Sequence, residues 1–515
     1  MVVLYHNHNK IEDLVATGHQ NIDFDKNLTL AKGLHHLANR FPNEKIVWCH
    51  LDYKDHFDVK AIETVYHHHK LMLSYHPYQN HFMDKRLGYV DASVFINVNK
   101  KVSYPTWQMS SAVGVIHGSV LLEINDSIPL DSDFDYYLNS VAKLAMPLGL
   151  FCYSEPRLLR GDPIKPSESK TNIWTLFKFV KQHYKTRWLF LLALNLLLYE
   201  KRVALFPFLY GLCFKKRTKA AINLESIAVQ STKDIMAKAN IDVIIPTIGR
   251  KTYLYDVLCD LRNQTYLPQN VIIVEQNPIE GSRSELDYLT SESWPFKISH
   301  MFTHKTGACQ ARNKALQQVK SEWVFLADDD IVIEKDFLYK LHRTVNQLPY
   351  KAFTFRCYLK GEPKEFNKLR QWDAFGSGCS VVQRKALNGC SFSEAYEYGF
   401  GEDSDFGMQL RNKGIDVIYV PEPSILHLKA PMGGFRTKPK LLWQEEAVQP
   451  KPSPTIMLYQ LLHKTKEQQW GYKTLLFLKY YKNQSIKNPF KYYKTLRKQW
   501  SQSLKYANQL KNNNS

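Results

Sequence analysis

Three consecutive carboxylates, Asp328, Asp329 and Asp330, follow directly on the apolar run Trp323 to Ala327. Such a run reads as a buried strand. A buried strand that ends in acids carries negative charge to the mouth of an α/β sheet, where ligands of open sheets bind. Three like charges side by side repel one another unless a cation lies among them, and oxygen donors suit Mg2+ or Mn2+. A solvated acidic turn is the plain alternative. The strand before the cluster and the groups downstream favour the metal site.

Three further features could do chemistry. Gly401-Glu402-Asp403 precedes an amphipathic stretch, Ser404 to Arg411. A carboxylate at a helix N-terminus is held by free backbone N–H groups and by the helix dipole. Capping alone explains such a residue; so does a general base beside a substrate hydroxyl. His427 lies in Pro423 to Phe435, a Gly/Pro-rich loop after the strand-like Val417 to Val420. A lone histidine is more often structural than a ligand, yet loops of this kind are where function concentrates. Trp372 to Gly378 joins an aromatic that can stack on a sugar to the flexible Gly376-Ser377-Gly378, or is an ordinary turn.

The elements that must position these groups alternate. Val243 to Pro246 reads as a strand, Tyr253 to Gln264 as a helix, Val271 to Glu275 as a strand and Ala308 to Val319 as a helix. Trp323 to Ala327 is the next strand. The alternation predicts a largely parallel, doubly wound sheet.

Taken together, these residues resemble the family 2 glycosyltransferases, inverting enzymes of GT-A fold, over about 241–435. Ile245-Pro246-Thr247 with Arg250 is similar to the family's opening P-T-x-x-R strand and loop. Glu275 stands where the family has the first Asp of V-D-D-G-S, which contacts the nucleotide base; here the run is Val274-Glu-Gln-Asn-Pro278, without Gly-Ser. Thr306 to Asn313 resembles N-x-G-x-x-x-A-R-N, whose Arg, here Arg312, approaches the nucleotide. Asp328 to Asp330 match the D-x-D metal motif, Asp329 being counted with Asp328 on the nucleotide side. Glu402-Asp403 match the E-D motif, whose Asp is the family's base. His427 matches a late His that completes the metal site in several members.

The resemblance implies a single displacement. Asp328, Asp330 and His427 hold Mg2+ or Mn2+ against the diphosphate of a nucleotide-sugar, a UDP- or dTDP-sugar, as a Lewis acid. Asp403, with Glu402 beside it, takes the proton of the acceptor hydroxyl. Trp372 and Gly378 line the sugar.

The fold expected is α/β. A catalytic GT-A domain, Rossmann-like, at 239–440 is preceded by a smaller degenerate GT-A-like module at 1–165 and a basic helical connector at 166–238. A basic, aromatic helical tail follows at 441–515. Three short matches in the same order suggest that the two modules are repeats. Ile46 to Asp52 parallels Glu322 to Asp328, Asp131-Ser-Asp-Phe134 parallels Asp403-Ser-Asp-Phe406, and Gly149 to Pro156 parallels Gly414 to Pro423. In that alignment Lys54 stands opposite Asp330 and Arg160 opposite His427, so the first module should bind no divalent ion. It also lacks the opening nucleotide strands, which suits a silent module that supports the other or grips the acceptor. His67-His68-His69 reads as surface.

A net charge of +19 calls for an anionic partner, and 44% hydrophobic with 23% charged residues describes a globular chain. The eight cysteines form no C-x-x-C pair, which argues for reduced thiols in the cytoplasm. Met1 to His6 is no secretory signal. Trp188 to Phe214 is apolar but broken by Glu200-Lys201-Arg202 and Pro207. It is either a helix in the headgroup layer or a helical hairpin packed on a domain. Lys451 to Ser515 holds thirteen Lys or Arg against one acid, Glu467, interleaved with aromatics. A membrane surface, nucleic acid and a packed appendage all suit that pattern.

The leading reading is a cytoplasmic transferase, peripheral at the inner face of the cell membrane, that adds sugars to a glycan or lipid-linked glycan acceptor during bacterial cell-surface polysaccharide synthesis. The rival is a basic nucleic-acid- or membrane-binding scaffold with an inactive GT-A-like module. No helix-turn-helix, RRM or zinc signature supports nucleic acid.

Overall fold

Short apolar runs become strands of two separate sheets in the computed structural model, which describes residues 1–17, 23–78, 82–124, 128–161, 172–218, 222–232, 239–430 and 441–513. The end of the loop after His427, with Gly433, Gly434 and Phe435, lies outside the described residues, as do the expected boundaries at 165, 238 and 440. Two compact units divide the chain: Met1–Lys233 with Thr465–Leu478, and Asp234–Lys464 with Lys479–Ser515.

The first unit is built on β1 (Val2–Asn7), β2 (Lys10–Ala16), β3 (Lys45–His50), β4 (Leu71–Tyr75), β5 (Tyr104–Pro105), β6 (Val113–His117) and β7 (Phe151–Ser154). Their order is β2-β1-β3-β6-β4-β7-β5. The helices Leu30–Arg40, Phe134–Ala145 and Ile173–His183 bury their apolar faces in its core. His67 and His68 are buried, not at the surface. They follow the end of the helix Val59–Val65, and the His67 carbonyl accepts from the Thr232 amide at 2.9 Å.

The second unit holds β8 (Ile241–Ile248), β9 (Asn270–Gln276), β10 (Lys297–Thr303), β11 (Trp323–Ala327), β12 (Ile331–Val332), β13 (Ala352–Tyr358), β14 (Arg370–Gln371), β15 (Cys379–Gln383) and β16 (Val417–His427). The order is β10-β9-β8-β11-β15-β13-β16-β12, with β14 also on β16. β10, β9, β8 and β11 run parallel, as the alternating helices require. β15 is antiparallel to both β11 and β13, so the sheet is mixed rather than largely parallel. β15 is the apolar Cys379–Gln383, which enters beside β11 without a crossover helix before it. The helix from Ala308 ends at Leu316.

The two sheets share one topology. β1 is parallel to β3, β3 antiparallel to β6, β6 antiparallel to β4, β4 parallel to β7, and β5 antiparallel to β7. β8, β11, β15, β13, β16 and β14 repeat each relation in turn. Hydrogen bonds fix the residue correspondence. Gly118 N donates to Glu44 O at 2.9 Å, and Arg384 N to Glu322 O at 2.8 Å. Thr106 N donates to Cys152 O, and Trp372 N to Val417 O, both at 3.0 Å. β9 and β10 have no counterpart in the first sheet, where β2 pairs antiparallel with β1 instead.

That correspondence corrects the alignment made by residue identity. Glu44, not Ile46, stands opposite Glu322, so His50 takes the place of Asp328. One match shifts by two residues and another by four. The Gly149 and Gly414 match holds, for both glycines are left-handed (φ 99° and 76°) and end a helix in the same way.

Candidate active site

Asp242 sets the position of β11. Its buried carboxylate accepts from Asn270 Nδ2 (2.6 Å), Lys320 N (2.7 Å), Ser321 N (2.9 Å) and Ser321 Oγ (2.7 Å). This ties the turn before β11 to the start of β8 and β9. β11 is buried along its whole length, so its three acids emerge at a fixed point on the sheet edge.

The acids then take different partners. Asp328 Oδ1 accepts from Arg312 Nη2 at 3.0 Å, from the helix Ala308–Leu316. Asp329 is buried; Thr247 Oγ1 donates to its Oδ2 at 2.6 Å and Arg250 Nη1 to its Oδ1 at 2.5 Å. Burial pushes the Asp329 carboxyl up to about 6, against the pull of Arg250 and Thr247. Asp330 accepts from Ala430 N at 2.8 Å and lies 3.2 Å from His427 Nε2, with Arg250 Nη1 at 3.3 Å. Burial alone would raise Asp330, but His427, the Ala430 amide and Arg250 outweigh it and hold it below the usual carboxylate range. The bond to Asp330 in turn raises the His427 imidazole. β12 pairs with β16 so that Ile331 faces His427, which carries the imidazole back to the acids a hundred residues upstream.

Asp328, Asp330 and His427 each offer a ligand atom, and the three atoms lie within 4.8 Å of one another. Two carboxylates and an imidazole form a donor set that fits Mn2+ or Mg2+. It is the one such group among the described residues. Gly378 makes room for it, since a Cβ there would stand 2.0 Å from Asp328 Oδ2.

Glu402 and Asp403 open the helix Glu402–Asn412. Burial, then the Asp403 charge, pushes the Glu402 carboxyl up to about 7. Burial raises Asp403 too, against Arg312 and two bonds from Ser377. One oxygen, Asp403 Oδ1, is buried with no hydrogen-bond partner. A buried acceptor left unmatched is costly and marks a place for a ligand's donor. The helix is anchored from behind by Asp405, which accepts from His463 Nε2 at 2.6 Å and Gln409 Nε2 at 2.7 Å. Ser377 and Asp405 escaped the sequence reading. Ser377 sits between two glycines whose sequence signal is flexibility, and Asp405 needs a partner from a helix some sixty positions on.

The remaining candidates divide. Pro246 and Thr247 end β8 beside Glu275 and its neighbours on β9. Glu275 is engaged by Ser284 Oγ (2.5 Å), His300 Nε2 (2.9 Å) and Glu285 N (3.2 Å). Burial favours its neutral form, but those bonds hold its pKa below the ordinary value. Trp372 is not brought to the acids. Its amide pairs with Val417, ten positions before His427 on β16, and its ring packs 4.6 Å from Tyr419 and under Arg370. Gly378 does reach Asp328.

The first unit keeps part of this arrangement. Ser111 corresponds to Ser377, and its N–H (2.7 Å) and Oγ (2.9 Å) both bond to Asp135. Asp135 therefore stands where Asp403 does, four residues on from the Asp131 that the matching letters suggested; Asp131 instead receives Arg217 Nη2 at 2.7 Å. Leu159 bridges Phe57 as His427 bridges Ile331, so Leu159 and not Arg160 occupies the His427 position. His50 stands in place of Asp328, and Leu159 offers no ligand atom where His427 does, so the three-ligand group is not repeated among the described residues.

Residues 242–396 match the family described as glycosyl transferase family 2. Glycosyltransferase GlyG of Streptococcus pneumoniae is 23% identical over 107 residues, 21% of this chain and 35% of that protein. Putative glycosyltransferase EpsH of Bacillus subtilis is 27% identical over 104 residues, 20% of this chain and 30% of its own length. The chain thus spans about a third of the curated relatives it matches. The S. aureus TarS 1-349 crystal structure in complex with UDP-GlcNAc overlaps at a TM-score of 0.35 and 18% identity, over 52% of this chain and 79% of that one. So loose an overlap says nothing about donor or acceptor. The stretch that holds the three acids and Arg312 is thus similar to glycosyl transferase family 2, and the Asp403 helix follows it directly.

Proposed function

We propose that the chain transfers a sugar from a nucleotide-diphospho-sugar to an acceptor hydroxyl with inversion. The observation that carries the reading is the meeting of Asp328, Asp330 and His427 within 4.8 Å at the end of β11. Those three would hold Mg2+ or Mn2+. When bound, the ion supplies Lewis-acid stabilisation of the leaving diphosphate. Arg312 and Arg250 keep neighbouring acids charged and in place, and add positive charge facing an anionic donor. Asp403 Oδ1, buried and unmatched, accepts the acceptor's hydroxyl proton as that oxygen attacks the anomeric carbon. A raised carboxyl is a stronger base than an ordinary one, which suits this task. The Thr247 hydroxyl fixes Asp329, so the acids on either side keep their orientation.

The donor in this reading is a UDP- or dTDP-sugar, and the acceptor a glycan or lipid-linked glycan of a cell-surface polysaccharide. Free cysteines throughout suit the cytoplasm, and the basic balance suits the inner face of a membrane. The test is Asp403→Asn, assayed for transfer and for nucleotide binding with Mn2+. Transfer should fall by about 10³-fold or more while nucleotide binding persists. Unchanged turnover rejects the assignment.

A further inference from the structure

We infer that the helical hairpin Arg187–Glu200 and Leu205–Leu212 docks the chain on an anionic lipid bilayer, its outer face lying in the headgroup layer. One side of the hairpin is spoken for. Leu189, Leu192 and Leu196 are fully buried in the first unit's core. The other side is equally apolar and faces solvent: Val203 is 76% exposed, Phe206 71% and Phe190 56%, with Leu197, Leu205 and Leu209 beside them. A helix that is apolar all round belongs in a core or a membrane, and a contiguous exposed apolar patch marks an interaction surface.

Length excludes a span. The two helices have 14 and 8 residues, and no helix among the described residues is long and apolar enough to cross a membrane. A short apolar hairpin therefore lies in the interface rather than through it.

Charge selects the partner. Lys185 and Arg187 precede the first helix, Lys201 and Arg202 form the turn, and Lys215 and Lys216 follow the second, all exposed. The single acid from 181 to 217 is Glu200, already bonded to Arg86 Nε at 2.8 Å. Cations around an apolar face match acidic headgroups around acyl chains. Two copies of this chain meeting on the same face would set those cations against each other. The inference rests on the hairpin alone and stands whether or not the transferase reading does.

The experiment is flotation of the full chain with vesicles of phosphatidylcholine, alone or with about a quarter phosphatidylserine. The wild-type chain should float with the anionic vesicles, less so at high salt. Val203→Asp with Phe206→Asp should lower that binding by about tenfold or more, with the melting curve unchanged because both side chains already face water. Lys201→Gln with Arg202→Gln should weaken binding to the anionic vesicles alone. Failure of the wild type to float, or unaltered flotation of the Asp variant, overturns the inference. So does a concentration-dependent dimer that the Asp variant abolishes, since a second copy then covers the face. Donor turnover on soluble substrate, measured alongside, reports separately on the catalytic reading.

Discussion

Replacing Gly378 by alanine isolates the geometry of the acidic cluster from the stability of the fold. Gly378 has no left-handed backbone to protect, and the nearest atoms that the added methyl meets are those of the Asp328 carboxylate, with Oδ2 at 2.0 Å and Cγ at 2.4 Å. Carbon and oxygen settle at about 3.5 Å, so the carboxylate must retreat by more than about 1 Å. It has somewhere to go, because the Asp328 side chain is 31% exposed and is held by Arg312 from one side. Arg312 is the buried half of the pair, so loosening it costs about 1–3 kcal/mol of stability, which the melt reads separately. Activity should suffer on its own account. A 1 Å misplacement of a reacting or coordinating group costs about 10²-fold, or roughly 2.7 kcal/mol of transition-state stabilisation. Gly361→Ala is the matched control: its φ of +85° strains any side chain, but nothing lies within 4 Å. That variant should lose about 1 kcal/mol of stability and no activity. The assay is Mn2+-dependent release of nucleotide from the donor, with Mn2+ titrated, beside a thermal melt. Wild-type kcat/KM and an unchanged Mn2+ requirement in Gly378→Ala would refute the reasoning.

Other perturbations separate the remaining groups. Glu402 carries a proton below about pH 7 and a negative charge above it, so the donor KM should rise as pH passes 7, and Glu402→Gln should flatten that rise in steady-state assays. In the first unit, burial pushes Asp135 up to about 6, so the stability tied to its proton is present at low pH and lost as pH rises through 6. Asp135→Asn should therefore be more stable than wild type by roughly 2 kcal/mol at pH 7.5, with the gap closing below pH 4 in parallel denaturation curves. His463→Ala removes a 2.6 Å partner from buried Asp405 and should cost about 1–3 kcal/mol in chemical denaturation. Because Asp405 anchors the helix of Asp403, kcat should fall with donor KM little changed.

Much of the second unit could be read from its letters, because parallel strands buried on both faces are continuous apolar runs; Trp323–Ala327 is the clearest. β10 was missed because it is an edge strand with a half-wet, mixed pattern, Lys297–Thr303. The antiparallel half of the sheet was missed because β13 and β15 carry the same apolar signature as parallel strands and direction leaves no mark in composition. Asp328, Asp330 and His427 were readable as a group through the spacing of a known family, whereas Ser377 and Asp405 depend on contacts between distant segments. The repeat shows the limit most sharply. Asp-Ser-Asp-Phe occurs twice, but the backbone hydrogen bonds pair Asp403 with Asp135, one helical turn away from the matching letters.

The helix Lys466–Tyr481 has a consequence for the order of synthesis. Thr465 and the helix as far as Leu478 complete the first unit, where Gln468 Nε2 bonds to the carbonyls of Asp91 (3.0 Å) and Ser93 (2.9 Å) and Gly471 lies against the Tyr89 backbone. The entire second sheet is translated between those partners. The nascent N-terminal unit therefore waits, with the Asp91 and Ser93 carbonyls lacking Gln468 and the Tyr89 backbone uncovered, until the ribosome has made the second unit, so a stalled or clipped chain should be recognised as unfinished by quality-control proteases.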